Sequence, residues 1–369
     1  MALEAIGAVV EAVGAGVRVE EIEIDPPSAG EVLVRLVASG VCHSDLWAID
    51  NGNWGAPFPM LLGHEGAGIV EEVGDGVEVP AVGEPVVLAW AAPCGTCGPC
   101  RRGVPRRCSH AWVQPPRVRR ARDAAPLTGT LSLGTLATHT LVHAPQAIPM
   151  PPELSLRSGC LLGCGVSTGV GAAIQTAKVW PGARIAVIGL GGIGLAALQG
   201  ARIAGATRLI GVDIAKPKLG WAMRFGATDT IDASAVDAVE AVRELTAGAG
   251  VDFAFEATGV PAVVSQAVAM LDYAGVAVAI GVPPIPADVT LAWNGTDHAA
   301  YPRKTSLLIT DGGDPIPSRD FPEMAGWALD GRLDLDGMVS REIRLTDVDE
   351  AFRAMLAGEV IRSVVAFDP

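Results

Sequence analysis

The chain has no surplus of basic charge: 27 Lys and Arg stand against 41 Asp and Glu, a net charge of −14. Proteins that grip a nucleic-acid backbone present a basic face, so that class of partner is excluded. Nor is there an unbroken apolar run of about 20 residues, which a membrane-crossing helix needs. The most apolar stretch, ARIAVIGLGGIGLAALQGARIAG, is framed by Arg184 and Arg202 and broken by a Gly-rich turn. The opening residues, MALEAIGAVVEAVGAG, lack a basic segment and a cleavage site, so no secretion signal is expected. Repeats of roughly 20–50 residues and low-complexity tracts are also missing.

What is there is a chain of 369 residues, half of them apolar, long enough for two domains with sizeable cores. Without a secretion signal, its seven cysteines are expected in a reducing, cytoplasmic setting, where thiols bind metals rather than form disulfides. The one basic run, Arg101 to Arg122, reads as a solvated loop, with an anionic ligand or partner as the other reading.

The first third is built of short strand-like pieces and glycines. EVLVRLVASGVC alternates Val32, Val34 and Leu36, and GIVEEVGDGV and GEPVVLAW are similar, which predicts a β-rich, barrel-like domain. After about residue 165 the texture changes. Compact apolar strands (ARIAVIG, TRLIGVD, VDFAFEATG, GVAVAIGV) alternate with helical stretches, the pattern of a parallel α/β sheet. The tail from about Thr305 carries two helices and a last strand, SVVAF.

VIGLGGIG places Gly189, Gly191 and Gly194 in a G-x-G-x-x-G pattern between a strand and a helix, with Gly192 inside the turn. Such a turn lets backbone approach a pyrophosphate at a helix N-terminus. Asp213 closes the next strand, 19 residues after Gly194, where an acid hydrogen-bonds a ribose 2′-hydroxyl and repels a 2′-phosphate. NAD is therefore expected over NADP.

Cys94, Cys97, Cys100 and Cys108 follow C-x2-C-x2-C-x7-C in a turn-rich loop, a pattern suited to tetrahedral zinc. Four thiolates close the coordination shell, so this is a structural staple and any catalysis lies elsewhere. Among the remaining candidates, Cys42 (SGVCHSD), His64 with Glu65 (LLGHEGAG) and Cys164 (GCGVSTG) hold the right residue types for a catalytic zinc with an open position. Taken singly, each also reads as an ordinary buried residue, and spacing alone does not bring them together. Cys160 reads as a core residue.

In their order, CHSD, GHEGAG, the four-Cys loop, GCGVSTGVGAA, GLGGIG and GVDIAKPKL resemble the zinc-dependent medium-chain dehydrogenase/reductase family along nearly the whole chain. Within it, CGTCGPCRRGVPRRC, LLGCGVSTGVGAA, RDFPEMAGWALDGRLDLDGMVS and IRSVVAF look most like an actinobacterial branch that includes mycothiol-dependent formaldehyde dehydrogenase. The resemblance implies an α/β protein in two parts. A GroES-like β-rich catalytic domain would span 1–165, with 306–369 returning to it. A Rossmann domain, doubly wound on a parallel sheet, would span 166–305.

It further implies two zinc ions per chain, one held by Cys42, His64 and Cys164 and one by the four-Cys loop. Oxidation of a primary alcohol, or of an S-hydroxymethyl thiol adduct, with NAD is the implied reaction. Ser44 would pass on the hydroxyl proton, and Glu65 would be a neighbouring or transient ligand, or a plain ion-pair partner. Thr168 is placed by the nicotinamide, Asp213 and Lys218 on the adenosine ribose, and His43 and Arg362 on the pyrophosphate. Trp47 stands where many relatives carry a relay histidine, and His43 where several carry Arg. Trp47, Trp54, Trp90 and Trp112 are candidates for an aromatic substrate pocket, Trp90 by resemblance. A homodimer or homotetramer, assembled partly through the nucleotide domain, is implied as well. The alternatives are an aldehyde or enal reductase, a protein with permanently bound NADH, and a non-catalytic NAD-binding protein.

Overall fold

The computed structural model describes residues 1–52, 56–91, 93–102, 107–109, 117–296 and 299–367. The chain divides into two compact units: Met1–Cys164 with Ile316–Gly331 and Leu335–Pro369, and Gly165–Pro315 with Arg332–Asp334.

The first unit is β-rich. Its chain runs through β1 (Leu3–Val10), β2 (Arg18–Ile24), β3 (Glu31–Gly40), β4 (Met60–Leu61), β5 (Glu65–Val73), β6 (Pro85–Leu88), β7 (Val118–Arg120), β8 (Thr128–Gly129), β9 (His139–His143) and β10 (Ala147–Pro149). Five form a sheet in the order β7-β2-β1-β4-β8. The alternation in β3 is real but both faces are covered. Val32, Val34 and Leu36 pack in one cluster, while Leu33 on the opposite face joins another with Ile22, Ile24 and Leu61. A strand buried on two faces reads as nearly continuous apolar sequence.

The second unit is a parallel sheet of β11 (Arg184–Ile188), β12 (Arg208–Asp213), β13 (Asp229–Asp232), β14 (Val251–Glu256), β15 (Leu271–Ala279) and β16 (Ser306–Ile309). The order is β13-β12-β11-β14-β15-β16, a doubly wound arrangement whose direction reverses between β11 and β14. Phe253 and Phe255 lie buried in β14 with ring centroids 6.5 Å apart. The boundary differs from the sequence reading: residues 306–309 extend this sheet, pairing in parallel with Val276–Ala279 of β15. All four of these residues are exposed, so β16 lacks the buried face that marks the other strands in sequence.

The chain then returns to the first unit with the helix Pro317–Leu329, β17 (Val339–Ile343), the helix Val348–Leu356 and β18 (Arg362–Ala366). Here the second sheet of the unit runs β10-β6-β5-β3-β18-β17, with β9 also pairing β3. β9 lies along residues 31–35 of β3 and β18 along 38–40, so β3 is covered on both edges. Among the described residues no helix is long and apolar enough to cross a membrane.

Candidate metal and nucleotide sites

In the antiparallel pair of β3 and β5, Gly40 stands opposite Glu65. Cys42 follows that point on one strand and His64 precedes it on the other, so residues 22 apart in sequence meet at one end of the pair. Cys164 arrives from the Cys160–Gly163 turn, which is packed so closely that a Cβ on Gly163 would lie 3.3 Å from Glu65 Cα. One ligand atom from each of Cys42, His64, Glu65 and Cys164 lies within 4.8 Å of the others. The structure thus brings the three sequence-nominated ligands together, with Glu65 among them.

The chemistry of the pocket fits zinc. Two thiols, an imidazole and a carboxylate are the donor types that ion takes, and all four residues are buried. His64 carries the clearest sign: its Nε2 is buried with no hydrogen-bond partner, while Nδ1 lies 3.1 Å from Asp45 Oδ1. With the ring proton held on Nδ1 by Asp45, the Nε2 lone pair is left for a metal. The Gly63 N–H donates to the same Asp45 oxygen at 3.1 Å. Asp45 is the functional residue that sequence reading missed. No sequence signal set it apart; the structure shows its carboxylate fully buried on the helix that starts just after Cys42. Replacing it in Asp45→Asn leaves the ring poorly oriented and is expected to cost roughly 10–100-fold in zinc affinity or activity. Zinc release to a chelator is the measurement; unchanged release would remove Asp45 from this role.

The electrostatics of the cluster follow from crowding. Hydrogen bonding from Cys164 holds Cys42 well below the ordinary thiol range despite burial, with help from His64 and Arg362. The same bond, together with burial, pushes Cys164 up. Burial opposes charge on His64, yet Asp45 and Cys42 outweigh it and raise the ring well above its ordinary value. Burial raises Glu65 to about 7 against the pull of Arg362. Arg362, the first residue of β18, is buried and ion-paired with Glu65. Gly40 accommodates that carboxylate, since a Cβ there would stand 2.0 Å from Glu65 Oε2. Ser44 lies beside the cluster, its Oγ 3.8 Å from Cys42 Sγ, and His43 is exposed at the start of the same helix.

Cys94, Cys97, Cys100 and Cys108 form the second cluster, again with sulfurs within 4.8 Å of one another. The Cys97 N–H and the Thr96 hydroxyl each donate to Cys94 Sγ at 3.4 Å, and the Cys94 N–H donates to Cys108 Sγ at 3.4 Å. Backbone N–H groups at Cys100 and Ser109 bring Cys97 down to about 5, while burial and the neighbouring thiols push Cys100 up to about 12. No disulfide joins any of the seven cysteines. Cys160 is buried, its Sγ donating to the Arg157 carbonyl at 3.3 Å.

In the second unit, Gly189 adopts φ +92°, and a Cβ on Gly194 would lie 1.9 Å from the Gly189 carbonyl, so both positions require glycine. A Cβ on Gly191 would meet nothing within 4 Å, which leaves a cradle of open backbone before the helix Gly192–Ile203. Asp213, at the end of β12, accepts from the Leu190 N–H at 2.8 Å and the Ala215 N–H at 2.9 Å, with Lys218 Nζ at 3.9 Å. Thr168 is buried in the helix Gly165–Gly171.

The Arg-rich stretch is neutralised from remote strands. Arg119 pairs with Glu23 at 2.8 Å and Asp25 at 2.6 Å, and Arg120 with Asp123 at 2.6 Å and with Glu11. Arg117 and Arg122 also have acidic partners, so residues 117–122 form neither the solvated loop expected nor an open anion site. Trp47 and Trp90 are half-buried, Trp90 packing against the Val32 cluster; Trp54 and Trp112 lie outside the described residues.

A β-rich unit with a buried thiolate–imidazole pocket, and a doubly wound unit with a Gly-rich turn, together define a metal-dependent, nucleotide-linked oxidoreductase class. The alcohol dehydrogenase GroES-like domain family matches residues 28–152, and the zinc-binding dehydrogenase family matches residues 192–328. The chain belongs to the zinc-dependent alcohol dehydrogenases of the medium-chain dehydrogenase/reductase family, oxidoreductases acting on CH–OH groups. It is 34% identical over 374 residues to S-(hydroxymethyl)glutathione dehydrogenase of Synechocystis sp., covering 96% of this chain and 97% of that one. Among solved structures it is similar to an alcohol dehydrogenase zinc-binding domain protein from Burkholderia ambifaria, with TM-score 0.93, 34% identity and all of both chains covered. Benzyl alcohol dehydrogenase from Acinetobacter calcoaceticus is likewise similar, with TM-score 0.91, 28% identity, and 99% of this chain and 100% of that one covered.

Proposed function

We propose that the protein oxidises a primary alcohol, or an S-hydroxymethyl thiol adduct, to the carbonyl level with NAD as the two-electron acceptor and release of one proton. The observation that carries this reading is the buried His64 Nε2, left without a partner among two thiols and a carboxylate. Cys42, His64 and Cys164 would hold the catalytic zinc, with Glu65 beside them, and the four-Cys loop a second, structural one. Zinc bound in such a pocket supplies Lewis acidity that makes a hydroxyl proton easier to remove near neutral pH. Ser44 takes that proton, standing next to Cys42. The Trp47 indole only donates and cannot take up a proton, so the path from Ser44 leads to water.

In the nucleotide unit, the open backbone at Gly191 and the helix N-terminus at Gly192 suit a pyrophosphate. Asp213 retains lone pairs for a ribose hydroxyl and sets a negative charge where NADP carries phosphate. Lys218 would stand by the same ribose and Thr168 by the nicotinamide. The exposed edge of β16, a row of open backbone groups bearing Leu307, Leu308 and Ile309, supports a homodimer through the nucleotide unit. The thiol-adduct substrate is supported by the name of the Synechocystis relative, S-(hydroxymethyl)glutathione dehydrogenase.

The test is a spectrophotometric assay of the zinc-loaded protein with NAD or NADP. Formaldehyde is offered with and without mycothiol or glutathione, beside a panel of primary alcohols. Reduction of NAD is expected, with NADP less efficient by about 10²-fold because of the like charge at Asp213. A need for both thiol and formaldehyde assigns the adduct; turnover of plain alcohols assigns an ordinary alcohol dehydrogenase. No reduction in any arm would overturn the reading.

A further inference from the structure

We infer that Glu256 is a positioning residue for the dinucleotide, holding the turn Ala257–Gly259 as the wall of the cofactor crevice across from Asp213. This rests on the reading that the second unit binds NAD. Open parallel sheets take ligands beyond the carboxyl ends of their strands where the strand order reverses, here between β11 and β14. Glu256 is the last residue of β14 and pairs with Ile188, the last residue of β11. It ends an apolar strand, VDFAFE, and is 1% exposed.

A carboxylate in such a place is costly unless it binds several donors. Glu256 Oε1 accepts from the Thr258 N–H at 2.6 Å, the Gly259 N–H at 2.9 Å and the Thr258 hydroxyl. All three donors belong to the turn that follows the strand. Its other oxygen, Oε2, is buried and has no hydrogen-bond partner. The Glu256 carbonyl meanwhile accepts from the Ile280 and Gly281 N–H groups at 2.8 and 3.1 Å, tying in the turn after β15. Thr258 is the contact with the Gly-rich turn: a Cβ on Gly189 would lie 2.7 Å from its Cγ2 and 3.1 Å from the Ala257 carbonyl carbon. The phosphate turn is thus fixed on one side by Asp213, through Leu190, and on the other by a turn that Glu256 holds. A wall set before the ligand arrives saves the ordering that binding otherwise requires.

The test compares Glu256→Gln and Thr258→Ala with the wild-type protein in two titrations, NADH by fluorescence and AMP by calorimetry. AMP reaches only the Asp213 side of the crevice. Losing the charge from three hydrogen bonds is expected to weaken NADH binding roughly tenfold in Glu256→Gln, with the KM for NAD rising more than kcat falls and AMP affinity unchanged. Thr258→Ala, on an exposed side chain, is expected to weaken NADH binding in the same direction and decides the matter if Glu256→Gln fails to fold. Wild-type NADH affinity in the variants overturns the proposal. Equal weakening of NADH and AMP also overturns it, showing a general loss of structure. A wild-type protein that binds neither ligand overturns the NAD reading itself.

Discussion

Cys42→Ser is expected to release the zinc proposed for this pocket and to lower kcat/KM by about 10³-fold or more. The size follows from the several kcal/mol of charge stabilisation a catalytic metal supplies, at about 1.4 kcal/mol per factor of ten. The pocket cannot compensate. Cys42 is 3% exposed, and its sulfur accepts a hydrogen bond from Cys164, so a serine there leaves that donor facing a weaker base. Glu65 is already engaged by Arg362 and is a poor replacement for a thiolate. Cys160→Ala supplies the comparison: that thiol is buried too, but it donates to the Arg157 carbonyl and lies outside the metal cluster, so zinc content and activity are expected to remain. Metal analysis and steady-state rates check both variants. Wild-type zinc content and near-normal turnover in Cys42→Ser would falsify the assignment of the pocket.

Cys97→Ser should act on stability instead. Cys97 is the most buried of the four loop cysteines, at 8% exposure, and its N–H also supports Cys94. Structural zinc contributes folding free energy directly, about 10–16 kcal/mol in isolated zinc-finger peptides. Losing even ~4 kcal/mol would lower the melting temperature by about 10 °C in a unit of this size. Calorimetry is expected to show that fall, with one zinc lost and substantial turnover kept at low temperature. Unchanged melting with the metal gone would mean that the loop carries no folding energy. The two cysteine variants thus separate chemistry from scaffolding: one loses rate at normal stability, the other stability at near-normal rate.

Legibility in the sequence followed the distance between partners. The four-Cys loop packs its donors into residues 94–108, so spacing alone predicted a cluster, and the sulfurs do converge. The Gly-rich turn was equally plain, because strand, turn and helix are contiguous and a Cβ at Gly194 has no room. Cys42, His64 and Cys164 could be nominated but not assembled from the residues, since the register of β3 on β5 and the packing of the Cys160–Gly163 turn make them neighbours. The branch within the family rests on motifs alone. Asp45 and Glu256 escaped notice because a single acid beside apolar residues looks like a surface group until its burial is known. The arginines at 117–122 were misread for the same reason: their partners at Glu11, Glu23 and Asp25 lie about 90–110 residues earlier. β16, with no buried face, left no pattern to read.

The place of β18 has a consequence for the order of assembly. Residues 362–366 lie between β3 and β17 in the catalytic sheet and bring Arg362 to Glu65, a partner 297 positions away in the chain. The nucleotide unit, by contrast, is nearly contiguous from 165 to 315. As the chain leaves the ribosome, that inserted unit has almost all of its strands at hand and can close first. The unit begun earlier must wait, with an edge of β3 uncovered, until the final strand is made. Cys42, His64 and Cys164 are thus made early, and the Arg362 partner of Glu65 joins them only with the last strand.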